Sequence, residues 1–308
     1  MPTDQSPFDA DRPPLVSVVV PVYNDPEGLQ DTLDSLLAQT YPSTRYEVVV
    51  VDNDSEDETL AVAQSVATAH PDLVRVERET DVQSSYAARN TGIEAAHGDL
   101  LAFVDADVIP DPDWLATAAS SMESRDAVYA GCRVAVEPAE PTLAGRYDAY
   151  TGFPVERYVE DNGFAPTCAL LVARSVVDDV GPFDEGLVSG GDVEFGHRVA
   201  ASGRALDYLP EARVVHPART SLKSLLDKHV RVGRGITQRW RRYPERYDES
   251  LASYVRGLLP NHPLRFPGHF DAEWSRLSDA ERVGLYAVAY LVRLAKTTGR
   301  ALERARPG

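Results

Sequence analysis

The feature that most constrains this chain is the alternation of β-branched apolar runs with segments of helical periodicity over its first hundred residues. Residues 15–20 (LVSVVV) and 46–51 (YEVVVV) are short and almost continuously apolar, the pattern of strands buried on both faces. Between them Leu29, Leu33, Leu36 and Leu37 recur at helical spacing across residues 27–39, and residues 59–69 read the same way. A strand at 73–77, a helix at 84–96 and a strand at 100–104 continue the series. Such alternation predicts parallel strands joined by crossover helices, because parallel neighbours cannot be joined by a tight hairpin. The expected class is α/β with a mixed, mainly parallel central sheet.

In open α/β sheets ligands collect beyond the carboxyl ends of the strands. Three expected strand ends carry polar clusters: Tyr23-Asn24-Asp25, Asp52-Asn53-Asp54 and Asp105-Ala106-Asp107. The three would share one rim. Asp105 and Asp107 leave their strand at a sharp exit, where two carboxylates offer the oxygen ligands that Mg²⁺ or Mn²⁺ prefers. At the second strand end Asp52 can accept hydrogen bonds from a nucleobase or ribose, and Tyr23 offers a stacking face.

Beyond residue 128 the pattern loosens into a mixed α+β half with a helix at 192–202 and a strand ending at His216. Residues 223–246 then carry eight Lys or Arg against Asp227 and Glu245. Arg231 and Arg234 in this stretch could close over a diphosphate or hold a phosphorylated lipid acceptor. Residues 258–270 read as a proline-containing linker. Ser278-Asp279-Ala280-Glu281 is a capping box opening a helix to about residue 303. The apolar centre of that helix is too short to cross a bilayer; it is read as packing onto the catalytic part, with a homodimer surface or a peripheral membrane contact as the alternatives. The expected organisation is a flexible leader at 1–14, a main domain at 15–220 with halves 15–115 and 116–220, and an extension at 221–308 made of the basic segment, linker and helices.

Composition excludes several classes. The net charge of −17 makes nucleic acid a poor partner, and with lysine only at 223, 228 and 296 the acidic surface suits a salt-rich cytoplasm. Cys132 and Cys168 are far apart and lack metal-ligand spacing, so buried free thiols are expected rather than a zinc cluster or a disulfide scaffold. No apolar run of ~18 residues and no signal-like leader occurs, which reads as a cytoplasmic protein. The loop after the first strand, PVYNDPEG, is neither the GxGxxG of dinucleotide oxidoreductases nor the glycine-rich, lysine-containing loop of nucleotidyltransferases.

Several motifs stand together: VSVVVPVYND from Val16, VVVVDNDSEDET from Val48, ARNTGIEAAHGDLLAFVDADVIPDPDWL from Ala88, VGPFDE from Val180 and GGDVEFGHRVAASG from Gly190. In these the chain resembles the family 2 inverting glycosyltransferases of GT-A fold, over residues 15–217. The resemblance implies transfer of a sugar from a nucleotide-sugar donor, UDP in preference to GDP, to a hydroxyl acceptor such as a lipid-linked saccharide, with Mn²⁺ or Mg²⁺ as cofactor. It further implies that Pro21, Tyr23, Asn24, Asp52 and Arg89 bind the nucleotide. Asp105 would touch ribose and metal, Asp107 the metal, and His216 the metal or diphosphate. Asp192 matches the catalytic base, but Gly191 stands where the family carries a glutamate, so Glu194 is the alternative base. A nucleotidyltransferase and an inactive sugar-nucleotide-binding protein are the competing expectations.

Overall fold

A computed structural model describes residues 12–247, 250–264 and 266–306, so most of the expected leader lies outside the described residues. The alternating part folds as β1 (Val16–Val22), α1 (Pro26–Leu37), β2 (Tyr46–Asp52), α2 (Thr59–Ala69), β3 (Val74–Arg78), α3 (Ser85–Ala95) and β4 (Leu100–Phe103). Every residue of β1 and β4 is buried, as strands covered on both faces require. The four strands pair in parallel in the order β3-β2-β1-β4. Their register sets Val22 against Asp52 and Val19 against Phe103, so the polar strand ends leave the sheet side by side.

The chain continues through β5 (Ile109–Pro110), α4 (Trp114–Arg125), β6 (Tyr129–Glu137), α5 (Leu143–Thr151), α6 (Val155–Asn162), β7 (Leu170–Ala173), α7 (Arg174–Val180), α8 (Gly191–Ala201) and β8 (Asp207–Pro217). Here the pairing changes direction: β7 runs antiparallel to β4 and to β6, and β5 antiparallel to β8. The result is one mixed eight-stranded sheet ordered β3-β2-β1-β4-β7-β6-β8-β5, flanked by helices. The loosening of the sequence pattern past residue 128 is this change from helical crossovers to antiparallel returns.

Two compact units divide the chain: Met1–Ala135 with Pro154–Gly186 and Gly191–His216, and Val136–Phe153 with Leu187–Gly190 and Pro217–Gly308. A cut at residue 220 therefore misses α5, which groups with the C-terminal helices α9 (Leu222–Arg242), α10 (Leu251–Leu258) and α11 (Asp279–Arg304). Within this second unit α9 and α11 advance together in parallel. A Cβ on Gly233 would lie 2.0 Å from the Lys296 carbonyl, and one on Gly299 2.0 Å from that of Val230, so the two glycines let the backbones touch. The capping box is formed, with Ser278 and Glu281 satisfying each other's backbone N–H. The stretch expected as a linker at 258–270 is instead partly packed. Phe266 and Phe270 are buried, their rings 5.0 Å apart, and Phe266 lies edge-on to Tyr286 at 5.1 Å. Among the described residues no helix is long and apolar enough to cross a membrane.

In the first unit α3 lies close on β1 because Gly92 has no side chain: a Cβ there would fall 2.3 Å from Val19 Cγ1 and 3.2 Å from Val51 Cγ2. Alanine is the better helix former by ~1 kcal/mol, but overpacking a rigid core costs ~1–3 kcal/mol and should win. Gly92→Ala is expected to lower stability in urea denaturation; a gain would show that α3 can lift off the sheet at little cost.

Candidate active site

The centre of the site is built by strand register. β4 ends at Phe103, and Val104 N–H still donates to Val19 O at 3.2 Å, so Asp105 is the first residue beyond the pairing. The chain turns and re-enters the sheet as β5, where Ile109 lies against Val215 and Pro110 against Val214 of β8. That pairing brings His216 back beside Asp107, with Nε2 4.0 Å from Asp107 Oδ1. Arg213, three residues earlier on β8, accompanies it with an ion pair to Asp111 at 3.0 Å. Asp105, Asp107 and His216 each offer one ligand atom, all within 4.8 Å of one another. Two carboxylates and a buried imidazole form a donor set that suits Mn²⁺ or Mg²⁺, with Mn²⁺ the more tolerant of nitrogen.

Beside this triad the ends of β1 and β2 present the other rim residues. Asp52 is fully buried, yet its Oδ1 has no hydrogen-bond partner among the described residues; Oδ2 accepts only from Ser55 N–H at 3.3 Å and faces Arg78 Nε at 3.7 Å. An orphaned buried carboxylate oxygen is costly unless something else donates to it. Pro21 is buried within β1, whereas Tyr23 is 47% exposed, which leaves its ring available for stacking. Asn24 has φ at 50°, and its Oδ1 accepts from Glu56 N–H at 2.8 Å, which ties the first loop to the second. Arg78 was not foreseen. The expected third strand stopped one residue short of it, and the register that sets Arg78 against Asp52 is a property of the sheet.

Arg89 projects from α3, buried, and its Nη2 pairs with Asp105 Oδ1 while Nη1 donates to Ser85 O at 3.1 Å. Its guanidinium lies over the Tyr86 ring at 5.5 Å. Tyr86 is the second residue that sequence reasoning missed. A Cβ on Gly191 would sit 2.8–2.9 Å from three atoms of the Tyr86 ring, so the ring occupies the space that a glutamate at 191 would need. The phenol oxygen meets the backbone N–H groups of Gly191 and Asp192 at the start of α8. Tyr86 of α3 thus packs against Gly191 and leaves no room for a side chain there.

Asp192 belongs to the same neighbourhood as the Asp105–Asp107 pair. Burial pushes the Cys168 thiol far up, and the charges of Asp105, Asp107 and Asp192 push it further. Burial, then Asp192, likewise raises the Tyr158 phenol to about 12. Burial raises the Tyr86 and Tyr129 phenols, again with a contribution from Asp192. These phenols and the thiol therefore stay protonated. Both cysteines are free and buried, as expected.

Glu194, the alternative base, lies inside the packing of α8. It is 1% exposed, and both its oxygens receive Arg198 Nε at 2.9 Å, so it braces α8 from inside. Arg231 and Arg234 lie on α9 in the other compact unit. Arg231 is exposed; Arg234 Nε donates to Glu303 Oε2 at 2.9 Å, which makes it part of the packing of α9 on α11.

A family model, Glycosyl transferase family 2, matches residues 17–180. The chain is 38% identical over 291 residues to the glycosyltransferase AglE of Haloferax volcanii, covering 93% of this chain and 95% of that protein. It is 29% identical over 299 residues to the pre-mycofactocin glycosyltransferase of Mycobacterium tuberculosis, spanning 94% of this chain and 57% of that protein. Among solved structures it is similar to the Pyrobaculum calidifontis mannosyltransferase PcManGT in complex with GDP-Man and Mn²⁺, with TM-score 0.66 and 20% identity over 99% of this chain and 91% of that one. It is also similar to S. aureus TarS 1-349 in complex with UDP-GlcNAc, with TM-score 0.54 and 19% identity over 94% and 91%. These two share the fold. The chain belongs to glycosyl transferase family 2 and is a glycosyltransferase of GT-A architecture.

Proposed function

We propose that this enzyme is a metal-dependent, inverting glycosyltransferase acting from a nucleoside diphosphate sugar, UDP in preference to GDP, on a hydroxyl of a lipid-linked saccharide. The observation that carries the reading is the convergence of Asp105, Asp107 and His216 within 4.8 Å, beside a buried Asp52 with an orphaned oxygen. Asp52 accepts from the base and Tyr23 stacks on it. Pro21 and Asn24 shape the loop that covers it, and Arg89 holds Asp105 toward the ribose. Asp105, Asp107 and His216 hold a divalent cation, which when bound offsets the charge gathering on the departing diphosphate. Asp192 takes the acceptor hydroxyl's proton as that oxygen bonds to the anomeric carbon and the bond to the diphosphate breaks on the opposite face. The exposed cation of Arg231 supports a phosphorylated acceptor. A cytoplasmic protein, peripheral at the inner face of the membrane and adapted to high salt, is consistent with the acidic, lysine-poor composition.

Calorimetry of UDP and of GDP tests the donor reading, both bases being used because the two solved relatives hold one each. With Mn²⁺ present, Asp107→Asn is expected to weaken nucleotide binding about tenfold or more, and excess chelator should erase the difference from wild type. Undiminished affinity of the wild type in chelator would overturn the metal role.

Transfer kinetics test the base. Asp192→Asn should lower kcat ~10²–10⁴-fold with donor affinity and folding intact. Glu194→Gln should act mainly on stability, because it breaks a buried pair. Near wild-type turnover by Asp192→Asn, with Glu194→Gln dead but folded, would reverse the assignment.

Tyr86→Phe keeps the ring against Gly191 and removes only the oxygen that meets the two N–H groups of α8. The expected result is a raised acceptor KM at unchanged donor affinity, with a stability loss of ~1 kcal/mol. Equal loss of donor affinity would place Tyr86 with the nucleotide instead.

A further inference from the structure

We propose that the C-terminal unit docks on an anionic lipid bilayer through α10 and the segment that follows it. The charge of the chain is segregated: residues 217–308 carry eighteen Lys or Arg against nine Asp or Glu, a net +9, while residues 1–216 carry a net −26. The excess is confined to one part of the chain, and although Lys228, Arg234 and Arg300 within it are spent on internal contacts, Arg242 and Arg256 are exposed.

The geometry of α10 shows how an apolar face comes to point outward. Its inner side is committed to α11: Arg300 Nη2 donates to Ser253 Oγ at 2.8 Å, the same guanidinium lies over the Tyr254 ring at 5.4 Å, and a Cβ on Gly257 would meet Thr297 Oγ1 at 2.4 Å. The backbone beyond is tied down by polar groups. Tyr290 Oη donates to Leu258 O at 3.2 Å, Arg293 Nη1 to Asn261 Oδ1 at 2.5 Å and Arg293 Nη2 to Arg256 O at 2.6 Å. With the main chain held by hydrogen bonds, the apolar side chains are left out: Val255 is 49% exposed, Leu258 45%, Leu259 56% and Leu264 86%. Single exposed leucines are ordinary, but four large apolar side chains on one short stretch mark an interaction surface.

The exposed cations of the same unit select its occupant. Arg256 is exposed on α10 itself, and Arg241 and Arg242 are exposed at the end of α9. Exposed leucine and valine beside arginine is the composition of an interfacial segment, which inserts a few side chains among lipid headgroups while its cations meet their phosphates. The biological use of such docking rests on the lipid-linked acceptor proposed above, but the docking itself is measured without substrate.

The test is co-sedimentation of the full chain with phosphatidylcholine vesicles, with and without about one-third phosphatidylglycerol, at about 0.1 M salt where charges are screened beyond ~10 Å. Binding is expected only to the anionic vesicles. Leu258→Asp with Leu259→Asp should weaken it about tenfold or more at unchanged melting temperature and nucleotide affinity, and Arg242→Gln with Arg256→Gln should weaken it and reduce its salt dependence. The proposal is overturned if the wild type ignores anionic vesicles, or if it binds them and neither pair of substitutions matters. It is equally overturned if the leucine pair only dissociates a dimer seen by light scattering, which would make the face a contact between copies. Nucleotide affinity measured without vesicles separates a failure here from a failure of the transfer chemistry.

Discussion

The active site depends on the parallel register of β1 with β2 and β4. Because β1 is buried throughout and β2 nearly so, a slip of one residue would exchange the side chains of the two faces and set Val22 against something other than Asp52. Held in register, the three strands deliver Tyr23, Asp52 and Asp105 to one level, from which their loops can meet a single ligand. Gly92 serves the same end from above, since only a residue without a side chain lets α3 lie low enough on β1 for Arg89 to reach Asp105.

Onto that frame the protein sets carboxylates that would repel one another. Asp105, Asp107 and Asp192 all act on the Cys168 thiol, while Arg89 pairs with Asp105. Buried tyrosines line the same neighbourhood, Tyr86 and Tyr129 among them. Tyr86 touches Arg89 with its ring and the start of α8 with its oxygen, and so couples the donor side to the carboxylate expected to serve the acceptor. A cluster of this kind is held by the fold against its own electrostatics and gains from any cation that joins it.

Cations elsewhere are more often structural than their density in the sequence implies. Within the second unit Arg234 binds Glu303, and Arg239 and Arg241 donate to the carbonyls of Ser189 and Arg304. Asp148 is the buried anion between Lys228 at 3.0 Å and Arg219 at 3.5 Å. Arginine suits this use because its fork of donors satisfies carbonyls as readily as carboxylates.

The sequence by itself determined the α/β frame, the rim of polar strand ends, the acidic exit after β4 and the capping box of α11, because each is written in local periodicity or in residues a few positions apart. It did not determine the packing of Phe266 and Phe270, which depends on aromatic partners further along the chain, or the cut between units, which places α5 with helices more than seventy residues away. The burial of Glu194 was invisible for a related reason. Two acidic residues two positions apart look alike in sequence, and only the docking of α8 buries Glu194 together with its helix neighbour Arg198. The role of Gly191 was decided in the same way: a missing side chain carries no signal until the tertiary structure shows that Tyr86 stands in its place.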